Sequence, residues 1–221
     1  MSETAIVCET LRDEFLYVFE KVNKDLPVIW IESGLHNRPE KLRIRLQEAF
    51  DTITGGVVYL LFGVCGNAAL GLKTGDFKLV MPKVDDCISL LIGSSKKRAD
   101  FAAEHSAYYL TEGWMRGERN LLVEYQYSLK KFGKEKAEYI TKTLYGHYKT
   151  LALLDTGAYP IGKLVEETKI LAITIGLEQM VVPASTSYIE EFLWGPWPPD
   201  RYIVKEPHSE ITFEDLRIGL K

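Results

Sequence analysis

Cysteine is scarce in this chain. Its 221 residues hold three, Cys8, Cys65 and Cys87. An odd number cannot all pair within one chain, and a chain of this length buries enough core to be stable without cross-links. A disulfide framework is therefore excluded. Positive charge is also in short supply: 27 Lys and Arg stand against 31 Asp and Glu, a formal net charge of −4. A surface that tracks a phosphate backbone needs a basic excess on one face, so no nucleic-acid partner is expected. The clusters Lys41-Leu42-Arg43 and Lys96-Lys97-Arg98 read as solvated helix faces. Long apolar runs are missing as well. None approaches the roughly 20 residues that cross a bilayer, and no membrane partner is expected. Met1 to Glu9 is short and its apolar part is bracketed by Glu3 and Glu9, unlike a secretory leader. The expected location is the cytoplasm, where thiols stay reduced.

Apolar residues, by contrast, make up 46% of the chain, and their spacing alternates between two periods. Ala5 to Cys8, Val28 to Ile31, Val57 to Val64 and Phe77 to Val84 are short apolar runs that predict buried strands. Between them, Leu11, Phe15, Val18, Phe19 and Val22 form one helical stripe, and Leu42, Leu46, Ala49, Phe50 and Ile53 another. Asn37 and Pro39 predict the start of the second helix as cap and first-turn proline. Asp85-Asp86 predicts the cap of a third, which carries Ile88, Leu91 and Ile92. Residues 105 onward repeat the plan. Strands are expected at Ala107–Leu110, Thr150–Leu154, Gln179–Val182 and Tyr202–Val204. Helices are expected over Leu121–Tyr148, interrupted at Gly133, along the Leu164-Thr168-Leu171-Ala172-Ile175 stripe, and over Ser185–Leu193.

Two segments look internally related. Val80-Met81-Pro82 runs through Asp85-Asp86-Cys87 to Leu91-Ile92-Gly93, and Val181-Val182-Pro183 runs through Ser187-Tyr188-Ile189 to Leu193-Trp194-Gly195. The expectation is an α/β fold of two pseudo-duplicated halves, with mostly parallel sheets and a cleft between them. The halves would span residues 1–104 and 105–207, followed by a tail over 208–221.

Each cysteine follows a predicted strand and precedes a helix or a tight turn. If the strands are parallel, their carboxyl ends form one edge, where open α/β sheets bind ligands. Cys8, Cys65 and Cys87 are therefore candidate metal ligands, with His36 as a fourth donor from the second strand. Two or three thiolates with one imidazole suit zinc; three thiolates also suit an iron–sulfur cluster with one open iron. Gly63 and Gly66 flank Cys65 and leave the backbone open to a ligand. With Asn67 and Asp155 they make up the expected cofactor-binding set. The plainer reading of each cysteine is a small buried hydrophobe, and none of the spacings is a CxxC pair. His105 and His147 read as structural or solvent-facing, and Trp194 to Pro199 as a packing segment.

An ordered set of motifs carries a resemblance: Ile6-Val7-Cys8-Glu9-Thr10-Leu11, Trp30 to Asn37, Cys65-Gly66-Asn67-Ala68, Pro82 to Ile88, Tyr108 to Trp114, and Leu153 to Gly157. Together they resemble a domain-of-unknown-function family of anaerobic archaea and bacteria, encoded beside corrinoid-dependent methylamine methyltransferases. The resemblance implies an accessory in methyl transfer, with a corrinoid protein or a methylamine methyltransferase as partner. It also leads one to expect a cysteine after Asp155-Thr156-Gly157, where this chain has Ala158. The leading expectation is thus a zinc- or iron–sulfur-binding accessory protein. Two alternatives stand beside it. One is a cofactor-independent enzyme like the amino-acid racemases, which set one thiol from each half on opposite faces of a substrate. The other is a non-catalytic interaction protein with buried, inert cysteines.

Overall fold

The computed structural model describes residues 2–117 and 120–218. The chain opens with β1 (Glu3–Cys8), α1 (Arg12–Val22), β2 (Val28–Ile31), α2 (Pro39–Asp51), β3 (Gly56–Leu61) and β4 (Phe77–Pro82). It continues with α3 (Cys87–Ile92), α4 (Ser95–His105), β5 (Ala107–Leu110), α5 (Glu112–Met115), α6 (Leu121–Phe132) and α7 (Lys134–Tyr145). It closes with β6 (Thr150–Asp155), α8 (Ile161–Ile175), β7 (Glu178–Pro183), α9 (Ser187–Trp194) and β8 (Tyr202–Lys205). Short 3-10 turns over Glu9–Leu11 and Leu35–Asn37 precede α1 and α2.

The fold is α/β with two mostly parallel sheets. One has the order β2-β1-β3-β4-β8 and the other β5-β6-β7. β1 pairs in parallel with β2 and with β3, β3 with β4, and β6 with both β5 and β7. β8 is the exception. It follows the second half in sequence but pairs antiparallel with β4, Val80 facing Val204, so the first sheet is completed by the end of the chain.

Strand alternation sorts the core into layers. On β1 and β3, Ala5, Val7, Tyr59 and Leu61 share a core with Ala107, Tyr109, Ala152 and Leu154 of the second sheet. Phe15 of α1, Leu91 of α3 and Phe192 of α9 fill the space between the sheets. The opposite face of the first sheet, Ile6, Leu60, Leu79 and Met81, packs on Leu42, Leu46 and Phe50 of α2. Leu151 and Leu153 pack outward on Leu164 and Leu171 of α8. The related strand–proline–helix segments end in α3 and α9, both in the middle layer. Of the expected tail, Ile211 and Leu216 are buried against the outer face of the first sheet; residues 219–221 lie outside the described residues. The long helical stretch divides at Gly133, whose φ of +79° suits glycine and ends α6. α2 starts at Pro39 as expected, but Arg38 rather than Asn37 occupies the cap position, and it makes no side-chain cap bond. No helix among the described residues is long and apolar enough to cross a membrane.

Candidate functional site

Cys8 is the last residue of β1 and Cys87 the first of α3. Cys65 stands beyond the end of β3. That strand stops at Leu61, but the chain stays alongside the segment after β4 through Val64 N–H to Val84 O (2.8 Å) and Cys65 N–H to Asp85 O (2.9 Å). The chain then turns sharply, with positive φ at Cys65 (+46°), Gly66 (+66°) and Asn67 (+66°). Glycine and asparagine tolerate this region; a cysteine there is uncommon and marks local strain, of a kind found at functional sites.

These segments enclose a cavity of about 270 Å³ at the carboxyl edge of the first sheet. Cys8, Cys65, Cys87 and His36 all line it, as do Gly63, Gly66, Asp86 and Trp114. Asn67 is exposed on the turn and does not line the cavity; neither does Asp155. Asp155 instead closes its own turn, its Oδ1 accepting from Gly157 N–H at 3.2 Å. A wider basin of about 800 Å³, lined among others by Trp30, Arg38 and Lys41, shares Glu32 with the thiol cavity.

The electrostatics of the cavity favour neutral groups. Burial pushes the Cys65 thiol up to about 12, with Cys8 and Asp86 pushing the same way. Burial likewise raises Cys8, against bonding to Thr10, and its Sγ lies 3.0 Å from Thr10 Oγ1. Cys87 is raised well above the usual thiol range by burial, then by Asp86 and the other two sulfurs. Burial lowers His36, opposed by Asp86, so its imidazole is neutral and able to bind a metal. Asp86 is bonded through both carboxylate oxygens. Its Oδ1 caps α3 by accepting from Ser89 N–H at 2.9 Å, and Oδ2 meets Arg98 at 3.1 Å.

The donor types suit a thiophilic metal, but their arrangement is open. Among the described residues, no group of three or more His, Cys, Asp or Glu side chains stands ready to hold a metal ion.

Gly63, which lines the cavity, also has a packing role. A Cβ built on it would lie 2.5 Å from Asp86 Cα and 2.6 Å from Asp86 N, so its missing side chain admits the Asp85–Asp86 backbone. That close approach brings the start of α3, and with it Cys87, beside Cys65. Trp114 and Asp86 were missed as members of the site. The sequence signal for Trp114 was present, because Thr111-Glu112-Gly113-Trp114 follows a strand just as the cysteine segments do. Nothing local says that a residue of the second half reaches a pocket built by the first.

Residues 30–193 match the model of a family described as protein of unknown function (DUF1638). No curated protein and no solved structure matches the chain. The matched span takes in His36, Cys65, Cys87 and Trp114, and Cys8 precedes it.

Proposed function

We propose that this chain, which belongs to the DUF1638 family, takes up a thiophilic metal centre in the pocket ringed by Cys8, Cys65, Cys87 and His36, and serves a corrinoid-dependent methyltransferase system as an accessory. One observation carries the reading: thiols from three segments far apart in sequence line one small cavity at the carboxyl edge of a parallel sheet. Three thiolates and an imidazole are a tetrahedral zinc set, and the thiolates alone suit a cluster with one open iron. When bound, zinc would activate a methyl acceptor as a Lewis acid, and a cluster would carry an electron. Because the donors are not closed on a centre among the described residues, uptake requires them to draw together. Each thiol that binds gives up its proton to solvent. The neutral His36 can bind without losing one. The partner, a corrinoid protein or a methylamine methyltransferase, is supported by the sequence resemblance alone.

The test is metal and acid-labile sulfide analysis of protein purified without oxygen, repeated on Cys65→Ala/Cys87→Ala. Stoichiometric metal in the parent and its loss in the variant are expected. Absence from both, or equal content in both, ends the metal reading. Failure of a purified corrinoid protein or methyltransferase to bind the loaded chain ends the partner assignment alone.

A second reading draws on the raised thiols and the lack of a ready-made metal group among the described residues. It makes the chain an interaction protein whose cysteines only pack. Single Cys→Ala changes would then cost about 1–2 kcal/mol of stability each and leave partner binding intact.

A further inference from the structure

Trp114 reaches the thiol pocket from the second half of the chain. It lies in α5, and its ring packs on His36 with 4.8 Å between centroids. Its backbone is held at both ends: its N–H donates to Thr111 Oγ1 at 3.2 Å, and its carbonyl accepts from the buried Asn120 amide at 3.2 Å. The same amide reaches the carbonyls of Met115 and Gly117. α5 lies flush on the turn that follows Cys8, because a Cβ at Gly113 would fall 2.1 Å from Thr10 O. Against this rigid support, the indole Nε1–H is buried and has no hydrogen-bond partner among the described residues. Trp114 and Cys87 line the same cavity. A buried, unpaired donor costs free energy, and the cavity that Trp114 lines holds a sulfur, that of Cys87, which is a poor acceptor while neutral and a good one while bound to a metal.

We propose that Trp114 is a positioning residue for the metal centre: its indole N–H donates to the metal-bound Cys87 sulfur, and its ring holds His36 in place. The inference rests on the metal reading of the pocket. It makes the second half part of the site through a residue that need not ligate. Outer-shell donors of this kind tune metal affinity by about 10–100-fold.

The test uses cobalt(II) as the metal probe with the full chain and with Trp114→Phe, which keeps an aromatic ring on His36 and removes the N–H. Cobalt should bind the variant about tenfold more weakly than the parent. The sulfur-to-cobalt charge-transfer band should move to lower energy, because a thiolate without its donor is more easily oxidised. A purely packing role for Trp114 would leave that band unmoved. In the unaltered, ¹⁵N-labelled chain, the Trp114 indole N–H resonance should shift downfield on loading, a readout that does not depend on the variant folding. Cobalt binding with an unmoved indole resonance, or with equal affinity and an identical band in Trp114→Phe, overturns the inference and leaves the metal reading standing. Absence of cobalt and of any purified metal from the parent overturns both.

Discussion

The hydroxyl of Thr156, just past β6, lies 3.4 Å from the Glu14 carboxyl in the first turn of α1 and donates to it. Both residues are buried, and the contact joins the second sheet to the first helix. The Asp155-Thr156-Gly157 turn thus serves the packing of one half on the other.

Glu14 should make stability pH-dependent. It is fully buried, its Oε2 has no partner among the described residues, and burial raises its pKa from 4.5 to about 7, with Asp13 adding to the rise. The folded state therefore holds the proton more tightly than the unfolded chain. The contribution of Glu14 is fully present below about pH 4.5, falls as pH rises towards about 7, and levels off above that. Glu14→Gln should flatten this slope and stabilise the protein at pH 8 by on the order of 2 kcal/mol. Urea denaturation of both proteins at pH 5 and pH 8 checks it, and an unchanged slope in the variant refutes the assignment.

The metal-free thiols should be slow nucleophiles. At about 12 instead of 9, Cys65 is ionised about a thousandfold less than an ordinary cysteine at neutral pH. Alkylation of the native metal-free protein should therefore lag far behind that of the protein in denaturant, residue by residue in a mass-spectrometric time course. Rapid native labelling of Cys65 would contradict the buried, neutral site.

Gly63→Ala should destabilise the fold by about 3 kcal/mol, because a backbone rather than a mobile side chain occupies the space a methyl needs. The same change should lower metal uptake, since Asp86 opens the helix that begins with Cys87. Denaturation midpoints and bound metal per chain measure the two effects. A stable variant with full metal content would show that the close approach is dispensable.

Lys24 ties the first strand to the second half. Its Nζ donates to Glu3 at 2.8 Å, to the Leu193 carbonyl at 2.9 Å and to Tyr59 at 3.2 Å. Lys24→Met keeps the apolar stem and removes all three bonds, at an expected cost of about 1–3 kcal/mol. Because the bonded groups are largely shielded, the loss should persist in 0.5 M salt; a loss that salt erases would make the contact a surface ion pair.

The alternation of strands and helices was legible because it is local. Val28 to Ile31 and Phe77 to Pro82 carry a strand's apolar content within a few residues, and the α1, α2 and α8 stripes repeat within one or two turns. Capping chemistry was equally local: Asp86 starts α3, and Gly133 ends α6. The placement of Cys8 at a strand end, of Cys65 at a tight turn and of Cys87 at a helix start followed from the same signals.

Other features depended on contacts between distant residues. No periodicity tells β8 to leave the second half and pair with β4. That Trp114 lines the cavity was settled by how α5 seats on the Thr10 backbone, and no local signal leaves Asn67 and Asp155 out of the lining. The sequence by itself determined which segments are strands and helices and which thiols stand at their ends, since backbone preference and hydrophobic period act over a few residues. The tertiary structure alone decided that those thiols share one cavity and what covers it, because close packing of two sheets through a common helical layer is a property of the assembled chain.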